Sequence, residues 1–311
     1  MKKKIRISVF LFPWEIDLFQ DTVDRLKIAS TMIDKSKYDL ILDVTLNTSI
    51  QAVDWQSSKI DEQFFINSFN KICEKAKYFF DVECGVDDTT AVFGCVDKRR
   101  ESIKKSNDDE YIIWLDLDIF FPNHILYVIT QALDAIADDY FILTPQIVKM
   151  WDSSWDILTN TQYMDNHPHQ RKRPGNEIFN AEKVNFVEFL NGNIQIKNIP
   201  QFKFAGGWFN VFSSKLLKLI NIPESFGSYG LEDTYILTVC NICQQLKYPV
   251  NQYILENVIV GEFLYECHGM NFDFKSLLNI NLPSKEIQLQ QSRQNFDIEI
   301  RNKITDLKKF L

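Results

Sequence analysis

Residues 110–122 read EYIIWLDLDIFFP, and the fold turns on them. The run from Tyr111 to Leu115 is wholly apolar and of strand length. Asp116 and Asp118 stand near its end. A buried strand rarely carries two carboxylates unless something positive meets them. In open α/β sheets, ligands bind at the carboxyl ends of the strands. Acids spaced i, i+2 where the chain turns can converge on one hard divalent cation, which also takes phosphate oxygens as ligands. The competing reading is a strand-end turn with solvated acids. A DxD arises by chance about once in a chain of this composition, so its place on an apolar strand carries the signal.

Strands and helices alternate around this run. Residues 5–12 and 38–46 read as strands, and residues 16–32 and 64–80 have helical apolar spacing. Residues 123–138 read as a helix and 140–144 as another short strand. The alternation over the first half predicts βα units and a mostly parallel sheet. The texture changes between 151 and 183, where DNHPHQRKRPGNE reads as a surface loop or insertion. Order returns at 202–212, followed by a helix over 213–220. From Lys285 onward the pattern is a polar, amphipathic helix, read as packed on the domain, with dimerisation or contact with a membrane surface as alternatives.

The chain has 311 residues, 45% hydrophobic and 24% charged, which excludes wholesale disorder. Its net charge of −8 supplies no basic face for a sequence-independent nucleic-acid binder. Anionic substrates would need a local cation or a metal ion. The start, MKKKIRISVFLFPWEIDLF, reads as a buried strand behind a basic leader, because its apolar run is too short for a signal peptide. No stretch approaches the roughly 18 apolar residues of a membrane span. Six cysteines show no disulfide framework, so a reduced, cytoplasmic protein is expected. Cys240 and Cys243 read as two small core residues a helical turn apart.

Three further features carry chemistry. Gly206 and Gly207 permit a close backbone approach to a ligand, or serve only a turn. Gly230-Leu231-Glu232-Asp233 opens an apolar helix, where acids oppose the dipole. That capping role explains one acid; two after a Gly-rich aromatic loop suggest more. His268 is either a metal ligand or a satisfied core histidine.

In this order, the DxD, the Gly206-Gly207-Trp208 tract, the Gly-x-Glu-Asp helix start and the downstream histidine resemble a glycosyltransferase of the GT-A fold. The second half is similar to the galactosyltransferase and chondroitin-polymerase type and, more distantly, to inverting family 2. The resemblance spans residues 5–272. It implies one large α/β domain over 1–284, with a mostly parallel central sheet flanked by helices. Within it, a nucleotide-binding half spans about 1–150 and an acceptor-binding half about 151–284; residues 285–311 form a C-terminal helical extension.

The resemblance also implies roles. Asp118 would hold the metal, Asp116 the ribose or the metal, and His268 would complete the metal site. Asp233 would be the catalytic base, with Glu232 contacting the acceptor or orienting the loop. Gly206, Gly207 and Trp208 would line the donor-sugar and acceptor cleft. Phe12, Pro13 and Trp14 after the first strand, or Asp43 on the second, would touch the nucleotide base. Arg99 and Arg100 would reach the diphosphate or lie on a solvated helical face. The donor would be a nucleoside-diphosphate sugar and the acceptor a glycan or glycolipid. Mn²⁺ is the first choice of metal and Mg²⁺ the second. The resemblance implies inversion, and the loop PESFGSYG closing over the donor. Leu231 departs from several relatives, which have Gly there. A retaining GT-A transferase and a non-catalytic sugar-nucleotide or glycan-binding protein are the alternatives. A nucleotidyltransferase is disfavoured because FLFPWEID after the first strand holds neither glycine nor lysine.

Overall fold

The computed structural model describes residues 2–88, 94–149, 194–199, 209–262 and 274–309. The strands are β1 (Lys3–Leu11), β2 (Tyr38–Asn47), β3 (Val53–Asp54), β4 (Asp81–Asp87), β5 (Glu110–Leu115), β6 (Ile119–Phe120), β7 (Tyr140–Lys149), β8 (Ile196–Ile199), β9 (Phe209–Ser213), β10 (Val250–Glu262) and β11 (Asn279–Ile280). The helices are α1 (Ile16–Ser30), α2 (Glu62–Ala76), α3 (Cys95–Lys105), α4 (Ile125–Ala135), α5 (Ser214–Ile220), α6 (Glu232–Gln245), α7 (Phe274–Leu277) and α8 (Lys285–Lys309).

One nine-stranded sheet has the order β4-β2-β1-β5-β9-β7-β10-β6, with β8 beside β10. β4, β2, β1 and β5 are parallel. β9 runs antiparallel to both β5 and β7, so β7 and its parallel neighbour β10 point the same way as β1. Only β6, β8 and β9 run against the rest of this sheet. The expected architecture is therefore observed: a central, mostly parallel sheet with helices on both faces and a long C-terminal helix.

The apolar run of β5 has a direct cause. Ile113 and Leu115 enter one core, with Ile5, Ile7 and Val9 of β1 and Phe19 and Phe69 of α1 and α2. Ile112 and Trp114 enter a second core, with Val96 of α3, Leu216 of α5 and Tyr235 of α6. A strand covered on both faces has no polar alternation. The second core also takes Cys240 and Cys243, both fully buried.

Beside the second core the sheet face is ionic. Asp43 of β2 is fully buried and accepts from Lys98 Nζ at 2.5 Å. Arg6 of β1 lies 3.4 Å from Asp43 and Glu110 and 2.6 Å from Glu83. These pairs tie α3 to the middle of the sheet, and truncating one partner of such a pair strands a buried charge.

The structure differs from the sequence reading at several elements. α2 stops at Ala76 rather than 80, and β7 continues to Lys149 rather than 144. β4 (DVECGVD) is polar because it is a half-exposed edge strand, and it lacks the apolar pattern that marks a strand. The 151–183 stretch lies outside the described residues. Among the described residues, no helix is long and apolar enough to cross a membrane.

His124 precedes α4 and is 2% exposed. Burial pushes its pKa down to about 4. The native state therefore binds fewer protons than the unfolded chain between that value and the ordinary 6.5, so stability falls as pH drops through this window. From pH 7 to pH 5 the loss is expected to be about 2 kcal/mol. In urea unfolding, His124→Gln should lose correspondingly less over the same interval; an equal loss would assign the effect to other groups.

Candidate active site

The Asp116-Leu117-Asp118 turn joins β5 to β6, at the carboxyl end of the central strand. Leu117 is 5% exposed and packs into the first core, and the Ile119 amide donates to Asp116 O at 3.3 Å. The two acids flanking that anchor are half-buried. The i, i+2 pair thus stands where the sequence placed it, on a turn fixed by the apolar residue between them.

What meets the first acid is Arg99 of α3. Its Nη2 donates to Asp116 Oδ1 at 3.1 Å, and its Nη1 pairs with Glu232 Oε1. The guanidinium lies 5.1 Å from the ring centroid of Trp114. Burial opposes the charge on Arg99, but Asp116, Cys95 and Asp233 outweigh it, and the pKa lies above its ordinary value. One cation therefore joins the end of β5 to the start of α6, and Asp233 is close enough to act on it.

Arg99 is 6% exposed, so it does not lie on a solvated helical face, and its fork is engaged by carboxylates. Its neighbours are buried too, Lys98 at 1% and Arg100 at 9%. Three consecutive basic residues thus point into the protein, each toward different partners. Arg100 donates to Pro223 O at 2.9 Å and Gly227 O at 2.6 Å. The sequence signal for Arg99 was indirect: acids on an apolar strand require a counter-charge.

α6 starts without a side-chain cap. Gly230 (φ +93°) and Leu231 (φ +64°) are both left-handed, and Glu232 follows as the first helical residue. Leucine in this region costs roughly 1–2 kcal/mol. The backbone conformation itself accounts for glycine being suited to position 231. Glu232 is 3% exposed and pairs with Arg99, which exceeds a capping role. Asp233 is half-buried, with Oδ1 accepting from the Thr234 amide at 2.5 Å.

Phe12 follows β1 at the same edge of the sheet. It stacks on Trp14 with ring centroids 4.6 Å apart and meets Phe10 edge-on at 4.9 Å. Pro13 is buried in the short 3-10 turn between β1 and α1. Asp43 sits apart from these rings, enclosed by Lys98 and Arg6. Gly206, Gly207, Trp208 and His268 lie outside the described residues.

Arg99 brings Asp116 and Glu232 together, with Asp233 near enough to act on its charge. The carboxylate oxygens of Asp116 and Asp118 are the kind of donor that a hard divalent cation takes. Among the described residues alone, no three metal-ligating side chains cluster.

No family model and no curated protein matches the chain. Among solved structures it is similar to S. aureus TarS 1-349 at 12% identity and a TM-score of 0.46, covering 83% of this chain and 60% of that one. The same TarS fragment in complex with UDP gives 13% identity and a TM-score of 0.48, covering 93% and 68%. GalNAc-T7 with UDP, GalNAc and Mn²⁺ gives 8% identity and a TM-score of 0.47, covering 84% and 43%. At TM-scores below 0.5, these are likenesses of outline.

Proposed function

We propose that the protein is a glycosyltransferase of the GT-A type, moving a sugar from a nucleoside-diphosphate sugar to a hydroxyl of a glycan or glycolipid with inversion. The supporting observation is the convergence on Arg99 of the strand-end acid Asp116 and the helix-start acid Glu232. Donor-side and acceptor-side acids of the motif set thereby meet around one buried guanidinium.

Asp116 and Asp118 would hold the divalent cation, Mn²⁺ in the first instance, with His268 as the third ligand. Bound there, the cation supplies charge neutralisation for the departing diphosphate. Asp233 takes the proton from the attacking hydroxyl. Glu232, held by Arg99, fixes the first turn of α6 and so the position of Asp233. Phe12 and Pro13 would face the nucleotide, and Gly206, Gly207 and Trp208 would line the donor-sugar and acceptor cleft. Asp43 contributes through Lys98, by fixing α3, rather than by touching the base. The nucleotide-binding and acceptor-binding halves divide near residue 150, within one domain that ends near 284. The test is thermal unfolding against UDP, GDP, ADP and dTDP with and without Mn²⁺. A midpoint rise with one nucleotide that requires the metal supports the reading. No rise with any of them overturns it.

A further inference from the structure

Residues 223–231 lead directly into Glu232 and Asp233, and their composition suggests a mobile cover. Their hydrogen bonding is that of a fixed wall. Pro223 O and Gly227 O accept from Arg100, and Ser228 O accepts from the Val96 amide at 3.2 Å. Glu224 O accepts from the Gly227 amide at 3.1 Å. The remaining carbonyls are taken by α8. Asn295 Nδ2 donates to Ser225 O at 3.0 Å. Ser292 Oγ lies 2.7 Å from Phe226 O and 3.0 Å from Tyr229 O, its one proton shared between them. Every backbone carbonyl from 223 to 229 therefore has a partner, supplied by the loop itself, by α3 or by α8.

The packing agrees. Phe296 of α8 stacks on Phe226 at 6.1 Å. A Cβ at Gly94 would stand 2.1 Å from Ser228 O, and one at Gly230 would stand 2.1 Å from Leu289 Cδ2. The loop is thus pressed between the start of α3 and one face of α8: at Gly94 the backbone leaves no room for a side chain, and at Gly230 the Leu289 side chain packs against the bare Cα. Ser292 is fully buried, although its neighbours in the helix are polar and exposed.

We infer that α8 is a clamp that holds the 223–231 loop, and through it the left-handed Gly230-Leu231 pair, in the shape that sets Asp233, with Ser292 as its positioning residue. This deepens the transferase reading and rests on it for the role of Asp233. The loop is then a preorganised part of the acceptor side rather than a cover that closes over the donor.

Amide hydrogen exchange tests the clamp without any substrate. In the wild type, the Phe226, Gly227 and Val96 amides should be protected to the level of α6. In Ser292→Ala, and independently in Asn295→Ala, they should exchange at least tenfold faster, while Ile7 of β1 and Ile113 of β5 remain unchanged. Free exchange of the loop in the wild type, no change in the variants, or uniform acceleration including β1 and β5 would each overturn the clamp. The second readout separates the two proposals. Ser292→Ala should keep the midpoint rise given with Mn²⁺ by whichever of UDP, GDP, ADP and dTDP the wild type answers, and lose at least tenfold in release of that nucleotide from its sugar conjugate. Loss of the nucleotide response together with turnover would overturn the assignment to the acceptor side. A wild type that answers no nucleotide fails the transferase reading, and the exchange rates still decide the clamp.

Discussion

Arg99→Met is expected to lower the stability of the native protein by about 3–5 kcal/mol, the usual cost of leaving a buried charge without its partner. Glu232 is the group stranded: its side chain is 5% exposed, whereas that of Asp116 is 39% exposed and can be hydrated. Methionine fills much of the volume and keeps the contact with Trp114, so the loss measures charge rather than packing. Arg99→Lys should recover only part, because a single ammonium cannot span two carboxylates as a guanidinium fork does. Urea unfolding at pH 7 reads both variants. A wild-type midpoint for Arg99→Met would mean that the pairing contributes nothing to the fold.

Asp233→Asn should leave folding nearly intact and remove turnover. The side chain is half-buried, and an amide oxygen can still accept from the Thr234 amide, so the start of α6 is kept. The amide cannot take a proton from an attacking hydroxyl. Loss of a general base costs typically 10²–10⁴-fold in rate. The midpoint rise with nucleotide and metal should survive, since Asp116 and Asp118 are on another element. Retained turnover in Asp233→Asn would move the base to a different residue.

The strand-end acids were legible because they break a local rule, and the Gly-x-Glu-Asp helix start because it carries one acid more than capping explains. Two carboxylates close a strand that is otherwise wholly apolar, and two acids follow a glycine at a helix start. Arg99 stood out in the sequence as a diphosphate contact or part of a solvated helical face; its pairing with Asp116 and Glu232 was not legible, because nothing local brings those acids to it. Lys98 and Arg99 are buried because the fold brings the buried acids Asp43 and Glu232 opposite them, and Arg100 because the Pro223 and Gly227 carbonyls meet it. β4 was missed for the related reason that an edge strand needs no apolar face. The amphipathic pattern of α8 marked a helix and a packed face, yet nothing in it says which surface it covers. The pinned carbonyls of 223–229 therefore came only from the structure. Gly94, an ordinary glycine in sequence, is required because Ser228 O occupies the space its Cβ would take.

The most direct test of the central claim is thermal unfolding of the wild type and Asp118→Ala against nucleoside diphosphates, each with and without Mn²⁺. Ligand that binds only the native state raises the midpoint, by an amount set by its concentration relative to its dissociation constant. The expected result is a rise with one nucleotide that needs the metal in the wild type and is lost in Asp118→Ala, with the unliganded midpoints of the two proteins alike. A rise of equal size in Asp118→Ala, or none with any nucleotide in the wild type, would contradict it.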